Sequence, residues 1–568
     1  MTDGSRRRLG WLLLAGVVVL GSGYGAHEPW APDSPRFAAV ARDMLAGGDW
    51  LFPRVGGDLY PDKPPVFFWL MAAAIWFTGS VRAGFLVPSL LAGLGTLWLV
   101  FDLSRRLWGP RIALLAGLLL LSCVQFVLQA HTAQIDGTLA FFTTLGLYGL
   151  LRHLLLGPDW RWYALGGAAC GIGVVTKGVG FLPLLVLLPW GWLRWRGAVP
   201  ATGGGVLRWA LAPLAALLMI ALWFAPMMVA SLDDSALAAY RNEILFGQTV
   251  DRYVAAEGHR EPFWYFFTGV IPWAWLPLVL ALPWLAVRWR GAWRERDARV
   301  LLPLGWALLV LGFFMLSSGK RGVYILPALP AMCLAAAPYL EDLLTRRWLN
   351  RAATGLLGIF ALAASFAFGE LWSMQPADVG ITDPAVMPHL TAVAAIVALL
   401  ALASVGLGLR RDLGFARLAG FLMAVWLVLG WYLMPVIDEE RSGARILEAA
   451  YAELPPDADL GITRPKESLI LQARGPLTNF GHRRPDRDQE VRDAAAWLTA
   501  APDRYLILPD EVAAPCFAAG PLTPLGHAHR RGWLLAVPSA VEPACAAAGN
   551  AKTAVAYRAP TRLPSLWR

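Results

Sequence analysis

Apolar runs of membrane-crossing length alternate with short arginine-rich connections along most of the chain. A bilayer is crossed by about 17 to 25 apolar residues. Such runs fall near 9–25, 82–104, 112–130, 137–155, 162–176, 179–193, 208–230, 263–287, 300–317, 322–340, 353–372, 388–409 and 418–436. The pattern predicts a membrane all-α body of about thirteen spans over residues 1–436. The pair 162–176 and 179–193 is short and shares the break "TKGVG". One more apolar stretch, "PVFFWLMAAAIWFTG" at 65–79, is too short for a span and suits an interfacial or re-entrant helix.

Charge settles how that stretch is counted. With thirteen spans, Arg6 to Arg8, Arg105/Arg106/Arg111, Arg152/Arg161, Arg194/Arg196/Arg208, Arg288 to Arg299, Arg346/Arg347/Arg351 and Arg410/Arg411/Arg417 all fall on one side. Arginine-rich connections mark the cytoplasmic side. If 65–79 crossed, every cluster after the first would change sides. It is therefore expected in the outer interface, with Phe67, Phe68, Trp69 and Trp76 as aromatic anchors. The outer side then holds the loop 26–81, the turns at 131–136, Lys177 and 317–322, the loops 231–262 and 373–387, and the tail.

From residue 437 the pattern changes. "ADLGIT", "RYLILP" and "GWLLAVP" alternate as strands do, and "DQEVRDAAAWLTA" has an amphipathic helical period. Residues 437–568 are read as a separate soluble α/β domain. The first apolar run has a basic head, as signal peptides do, but no small-x-small cleavage site, and is read as a retained helix.

Composition agrees. Residues are 57% hydrophobic and 16% charged, against about 25% charged in soluble proteins. The net charge of +9 would suit nucleic acid, but the positives lie between apolar runs, so no nucleic-acid partner is expected. Cys123, Cys170 and Cys333 lie in apolar runs and read as packing residues. Cys516 and Cys545 would be able to pair if the tail meets an oxidising compartment.

Lysine usage sharpens the picture. Of 49 basic residues only Lys63, Lys177, Lys320, Lys466 and Lys552 are lysine. The three in the membrane body all fall on the outer side, against the charge bias. Snorkelling would place a lysine there; so would a need to hold an anionic group, because an ammonium is a point-charge partner for phosphate. Carboxylates accompany them: Asp33 three residues before Arg36, Asp62 beside Lys63 in "YPDKPP", and Asp136 at the outer mouth of a span. An ionisable residue at such a boundary is a functional candidate, although Asp136 also suits a helix N-cap. His259, in "AEGHREPFWYF", precedes a span.

"PDSPRFAAVARDMLAGGDWLFPRVGGDLYPDKPPVFFWL" resembles the first outer loop of the ArnT-type lipid A aminoarabinose transferases, within the protein-mannosyltransferase-related GT-C glycosyltransferases. The family pattern D-E-x-R-Y corresponds to Asp33–Phe37, and R-[ED]-M-L-x-S-G-D-W to Arg42–Trp50. A carboxylate-lysine-proline triplet corresponds to Asp62-Lys63-Pro64. "VPSLLAG", "RRLWG", "TKG", "HREPFWY" and "SSGKRGVYILP" extend the likeness across most of 26–340.

The resemblance implies a GT-C fold with a periplasmic C-terminal domain in a bacterial inner membrane. It implies transfer of a sugar from a polyprenyl-phosphate donor to lipid A or another envelope glycan, with membrane lipids around the site. By position Asp33 and Asp136 match the catalytic aspartates. Lys63 matches a lysine on the carrier phosphate, and Arg36, Lys177, Lys320, Arg321 and Tyr324 fall in the substrate-binding motifs. Asp62 and His259 match a metal pair, zinc in the aminoarabinose enzymes. One departure stands out: Ser34-Pro35 replaces the acidic residue after the first aspartate. A transporter or flippase of lipid-linked sugars, or a protein O-glycosyltransferase, is the alternative. Transporters carry internal repeats and mid-membrane charges, and the sequence has neither.

Overall fold

The computed structural model describes the chain except for residues 1, 201–202, 252–259, 380, 382, 409–412, 481–485, 514–515, 519–520, 530, 561–562 and 564–568. Among the described residues seven helices are long and apolar enough to cross a membrane, or nine if each of two bent pairs counts as one span. The bent pairs are Pro110–Ser122 with Val124–Ala130, at 70°, and Phe266–Ala274 with Leu278–Glu295, at 111°. Four other stretches expected to cross take different forms. The first is α1, Asp3–Leu20, with its arginines inside the helix. The next is the helix Trp160–Lys177. A 3₁₀ turn at Leu182–Val186 then runs into Leu187–Trp195. The last stretch is split into Gly322–Ile325, Ala328–Ala336 and Leu340–Leu344. Pro327 and Pro338 stand at its breaks, because each removes a backbone donor and crowds the preceding turn.

The first loop folds into α2 (Ser34–Leu45), a two-stranded hairpin (β1, Arg54–Val55, and β2, Asp58–Leu59) and α3 (Val66–Thr78). At 13 residues, α3 measures about 20 Å at a rise of about 1.5 Å per residue, short of the roughly 30 Å hydrocarbon core. Gly79 ends it at φ +70°, a conformation that costs glycine nothing. The expected anchors need correction. Phe67 and Phe68 are fully buried and point inward, with the ring of Phe37 at 5.7 and 5.6 Å. Leu70 and Phe77 are the large apolar side chains exposed on α3. Trp69 donates to the Trp50 carbonyl at 2.9 Å. Burying a Phe contributes roughly 1.5–3 kcal/mol, so the two rings clamp α3 onto α2 more than onto lipid.

The C-terminal part carries a six-stranded mixed sheet: β3 (Asp459–Ile462), β4 (Gly475–Asn479), β5 (Arg504–Pro509), β6 (Leu522–Ala528), β7 (Arg531–Ala536) and β8 (Val555–Ala559), in the order β6-β7-β5-β3-β4-β8. β3 runs parallel to β4 and β5, and the other pairs are antiparallel. The three expected strands and the helix Arg487–Thr499 are present. Cys516 and Cys545 form a disulfide.

The sheet part is tied to the first loop. Buried Arg42 on α2 donates to the carbonyls of Ile470 at 3.2 Å and Leu471 at 2.5 Å, and to the Tyr557 hydroxyl. Asn479 donates to the Gly56 carbonyl at 2.8 Å. Leu471 joins the apolar cluster of Phe37 and Phe67.

Candidate active site

A cavity of about 490 Å³ opens between the first loop and the helix ends. Asp33, Arg36, Asp62, Lys63, Asp136, Lys177, Arg321 and Tyr324 line it. Its apolar wall includes Leu139, Val179, Phe181, Phe313 and Phe314. Charged groups together with apolar and aromatic side chains in one cavity suit a ligand with an anionic head and an apolar tail.

Asp33 occupies the N-cap position of α2 but makes no side-chain cap bond. Its carboxylate is committed elsewhere. Oδ2 accepts from Gln134 Nε2 at 3.2 Å and lies 3.5 Å from an Arg321 nitrogen, and Oδ1 is 3.9 Å from Arg36. Two guanidinium groups therefore flank an acid held in place by an amide. Ser34 helps to set this geometry: its hydroxyl accepts from the Ala133 backbone N–H at 3.2 Å, fastening the start of α2 to the 131–136 turn.

Asp136 is in the first turn of the helix Ile135–Leu155, whose N-cap is Gln134, so Asp136 itself is not the cap. It forms an ion pair with Lys177 in the last turn of Trp160–Lys177. Each charge sits at the helix end that favours it. The Lys177 ammonium also lies over the Tyr324 ring, 4.5 Å from its centre, a cation–π contact. Gly178, at φ +63°, turns the chain out of this helix. A methyl group on Gly180 would fall 2.0 Å from the Gly173 carbonyl carbon. The "TKGVG" break is thus packed against the helix it ends.

Lys63 stands in the cavity wall and donates to the Asp62 carbonyl at 2.8 Å. Arg36 uses its Nε and one terminal nitrogen on the same oxygen of Glu467, at 2.7 and 2.6 Å. Burial alone would lower the Arg36 pKa, yet the charge of Glu467, helped by Tyr60, raises it above the ordinary value. Arg36 is a permanent cation.

Two expected residues stand apart. Lys320 is buried and does not line the cavity; its ammonium donates to the carbonyls of Ser317 at 2.7 Å and Glu261 at 2.9 Å. Those bonds fasten the 317–322 turn to the end of the 231–262 loop, a bracing position away from the cavity. His259 lies outside the described residues. Among the described residues no group of three His, Cys, Asp or Glu side chains is placed to hold a metal ion. Asp62, the described member of the expected zinc pair, is on the cavity wall.

Sequence reasoning missed Gln134 and Glu467. Gln134 had a signal, because it lies two residues from Asp136 in the same turn. Glu467 had none: it lies 431 positions from its partner, in a part without a recognised motif.

Residues 62–229 match the family model described as dolichyl-phosphate-mannose-protein mannosyltransferase. The chain is 33% identical over 394 residues to the undecaprenyl phosphate-alpha-4-amino-4-deoxy-L-arabinose arabinosyl transferase of Pseudomonas aeruginosa strain UCBPP-PA14, covering 65% of this chain and 67% of that relative. The protein of the same name from strain PAO1 is 33% identical over 368 residues, covering 62% of this chain and 63% of the relative. The matched region thus spans about two thirds of the length of these relatives. In three dimensions the chain resembles the crystal structure of ArnT from Cupriavidus metallidurans bound to undecaprenyl phosphate. The TM-score is 0.73 at 22% identity, over 94% of this chain and 99% of that one.

Proposed function

The chain belongs to the family of undecaprenyl phosphate-aminoarabinose arabinosyl transferases, multi-pass membrane enzymes of GT-C type, and from this premise we propose that it transfers a sugar from undecaprenyl phosphate to lipid A. The observation that carries the reading is the shared cavity. Three carboxylates, Asp33, Asp62 and Asp136, meet four cations, Arg36, Lys63, Lys177 and Arg321, beside an aromatic wall.

In the reaction the bond between the sugar's anomeric carbon and the carrier phosphate oxygen breaks. The bonding electrons stay on that oxygen, and undecaprenyl phosphate departs. An acceptor oxygen forms the new bond to the anomeric carbon. Negative charge grows on the departing phosphate, where preorganised cations stabilise it most. Lys63 and Arg36 are assigned to it, with Arg321 reaching across from the 317–322 turn. A phosphate acceptor needs no base, and Asp33 then orients it or the sugar; a hydroxyl acceptor gives its proton to Asp33. The Asp136–Lys177 pair lines the same cavity, with Tyr324 as its platform. Phe181, Phe313 and Phe314 receive the first part of the polyprenyl tail.

The thirteen-span topology belongs to this reading. It places the cavity and the sheet-bearing part 437–568, as a domain of its own, on the periplasmic face of a bacterial inner membrane. Asp62 is kept with His259 as a candidate zinc pair; zinc content of the purified protein should fall when both are replaced by alanine.

The test is transfer by purified protein in detergent, from undecaprenyl-phosphate-linked aminoarabinose to lipid A, with products read by mass spectrometry. Wild type should modify lipid A. Asp33→Asn, at matched expression, should lose about 100-fold or more, the usual contribution of a positioned acid–base group. Near-normal turnover by Asp33→Asn would refute its role.

A further inference from the structure

Arg36 is held by a residue from the far end of the chain. Its Nε and one terminal nitrogen are both bound by Glu467, while its other terminal nitrogen faces Asp33. Glu467 opens the helix Glu467–Gln472, which lies between β3 and β4. That helix is not free to drift. Ser468, Leu469 and Ile470 are buried within it, and its last carbonyls receive the guanidinium of Arg42. Gln472 donates to the Glu28 carboxylate at 3.2 Å. The side chain of Glu467 is itself 12% exposed.

We infer that the sheet-bearing part completes the active site, with Glu467 as the positioning residue that sets the angle of the Arg36 guanidinium over the donor phosphate. This rests on the glycosyl-transfer reading above. A guanidinium presents donors along two edges of a rigid plane. Glu467 occupies one edge and Tyr60 also bonds the group, so the plane is held, with the remaining nitrogen toward Asp33 in the cavity wall. Without that hold, a long arginine side chain samples several rotamers and loses its preorganisation. The sheet-bearing part then acts as the back wall of the site, and Arg36 is shared between two regions of the chain.

Charge and placement are separable here. Glu467→Asp keeps the charge but withdraws it by one methylene, about 1.5 Å. Glu467→Gln keeps an accepting oxygen in place but removes the charge. Misplacement by about 1 Å costs up to about 100-fold in rate. A positioning role therefore predicts that kcat/KM falls about 10-fold for Glu467→Asp and less than about 3-fold for Glu467→Gln.

The experiment measures kcat and donor KM for the full-length protein with undecaprenyl-phosphate-linked aminoarabinose and lipid A, and the melting temperature of each variant. In an Arg36→Ala background Glu467→Asp should cause no further loss. Arg36→Lys, which keeps the charge without the fork, should fall as far as Glu467→Asp and carries the test if the shortened acid does not fold. A normal Glu467→Asp with an altered Glu467→Gln would overturn the inference, since charge alone would then matter. So would a loss that persists without Arg36, or one that follows the melting temperature. A wild type that transfers no sugar would instead overturn the reading beneath it.

Discussion

Lys177→Met removes the ammonium facing Asp136 while keeping most of the apolar stem. The two side chains are 17% and 12% exposed, so little solvent screens them. Unit charges about 3 Å apart at an effective dielectric of about 20 attract by about 5–6 kcal/mol. Drawing both from water offsets several kcal/mol of that. Removing one partner alone is more damaging, at about 3–5 kcal/mol, because the other charge is stranded. The cavity admits water to Asp136, which favours the lower end. Lys177→Met should therefore cost about 3 kcal/mol and Asp136→Asn about 2, while the double variant should cost about 2 rather than 5, a coupling of about 3 kcal/mol. The measurement is unfolding in mixed detergent and SDS micelles, followed by tryptophan fluorescence. Sugar transfer is assayed on the same four proteins. Adding Asp136→Asn to Lys177→Met should recover about 1 kcal/mol of stability but no transfer, because the charges are assigned to substrate as well as to each other. Additive losses within about 0.5 kcal/mol would refute the buried pair, and an active double variant would refute its part in the reaction.

Three further expectations concern other parts of the chain. Replacing Cys516 and Cys545 by alanine opens a loop of 29 positions; loop-closure entropy puts the cost at about 3–4 kcal/mol, read as a lower melting temperature that wild type shows only in reductant. His529 is shifted down to about 4, by burial first and by Lys466 next. The unfolded chain then binds a proton that the folded one refuses, so stability is lost as pH falls from about 6.5 through about 4, on the order of 3 kcal/mol in all. His529→Gln should flatten that slope in melting curves taken across the same range. Reporter fusions at Gly79 and Trp108 should map to the periplasm and the cytoplasm respectively, and a periplasmic Trp108 would mean that 65–79 crosses.

Some of the site was legible because its residues are local or lie at span boundaries. Asp33, Asp62 and Lys63 share one loop, and Asp136 and Lys177 stand where apolar runs end, so the pattern that marks the spans also marks these residues. They line one cavity. Lys320 read the same way and did not join them, because its ammonium satisfies two backbone carbonyls. Sequence position cannot distinguish an ammonium turned to a ligand from one turned to its own turn. Phe67 and Phe68 misled for a related reason: α3 is apolar on nearly every side, and which side faces α2 depends on packing. β4, β6 and β8 were not legible, since they contain Gly475 with Pro476, a break in register at Pro524/Gly526, and a mixed run at Val555–Ala559. Glu467 could not have been found from its neighbours at all.

Arg42 meets Tyr557 across 515 positions of chain. During synthesis α2 emerges among the first elements and β8 among the last. The first loop must therefore wait, its arginines without their final partners, until every span has been inserted and the sheet has closed. The buried guanidinium of Arg42 thus finds its last partner only when the chain has been made almost to its end.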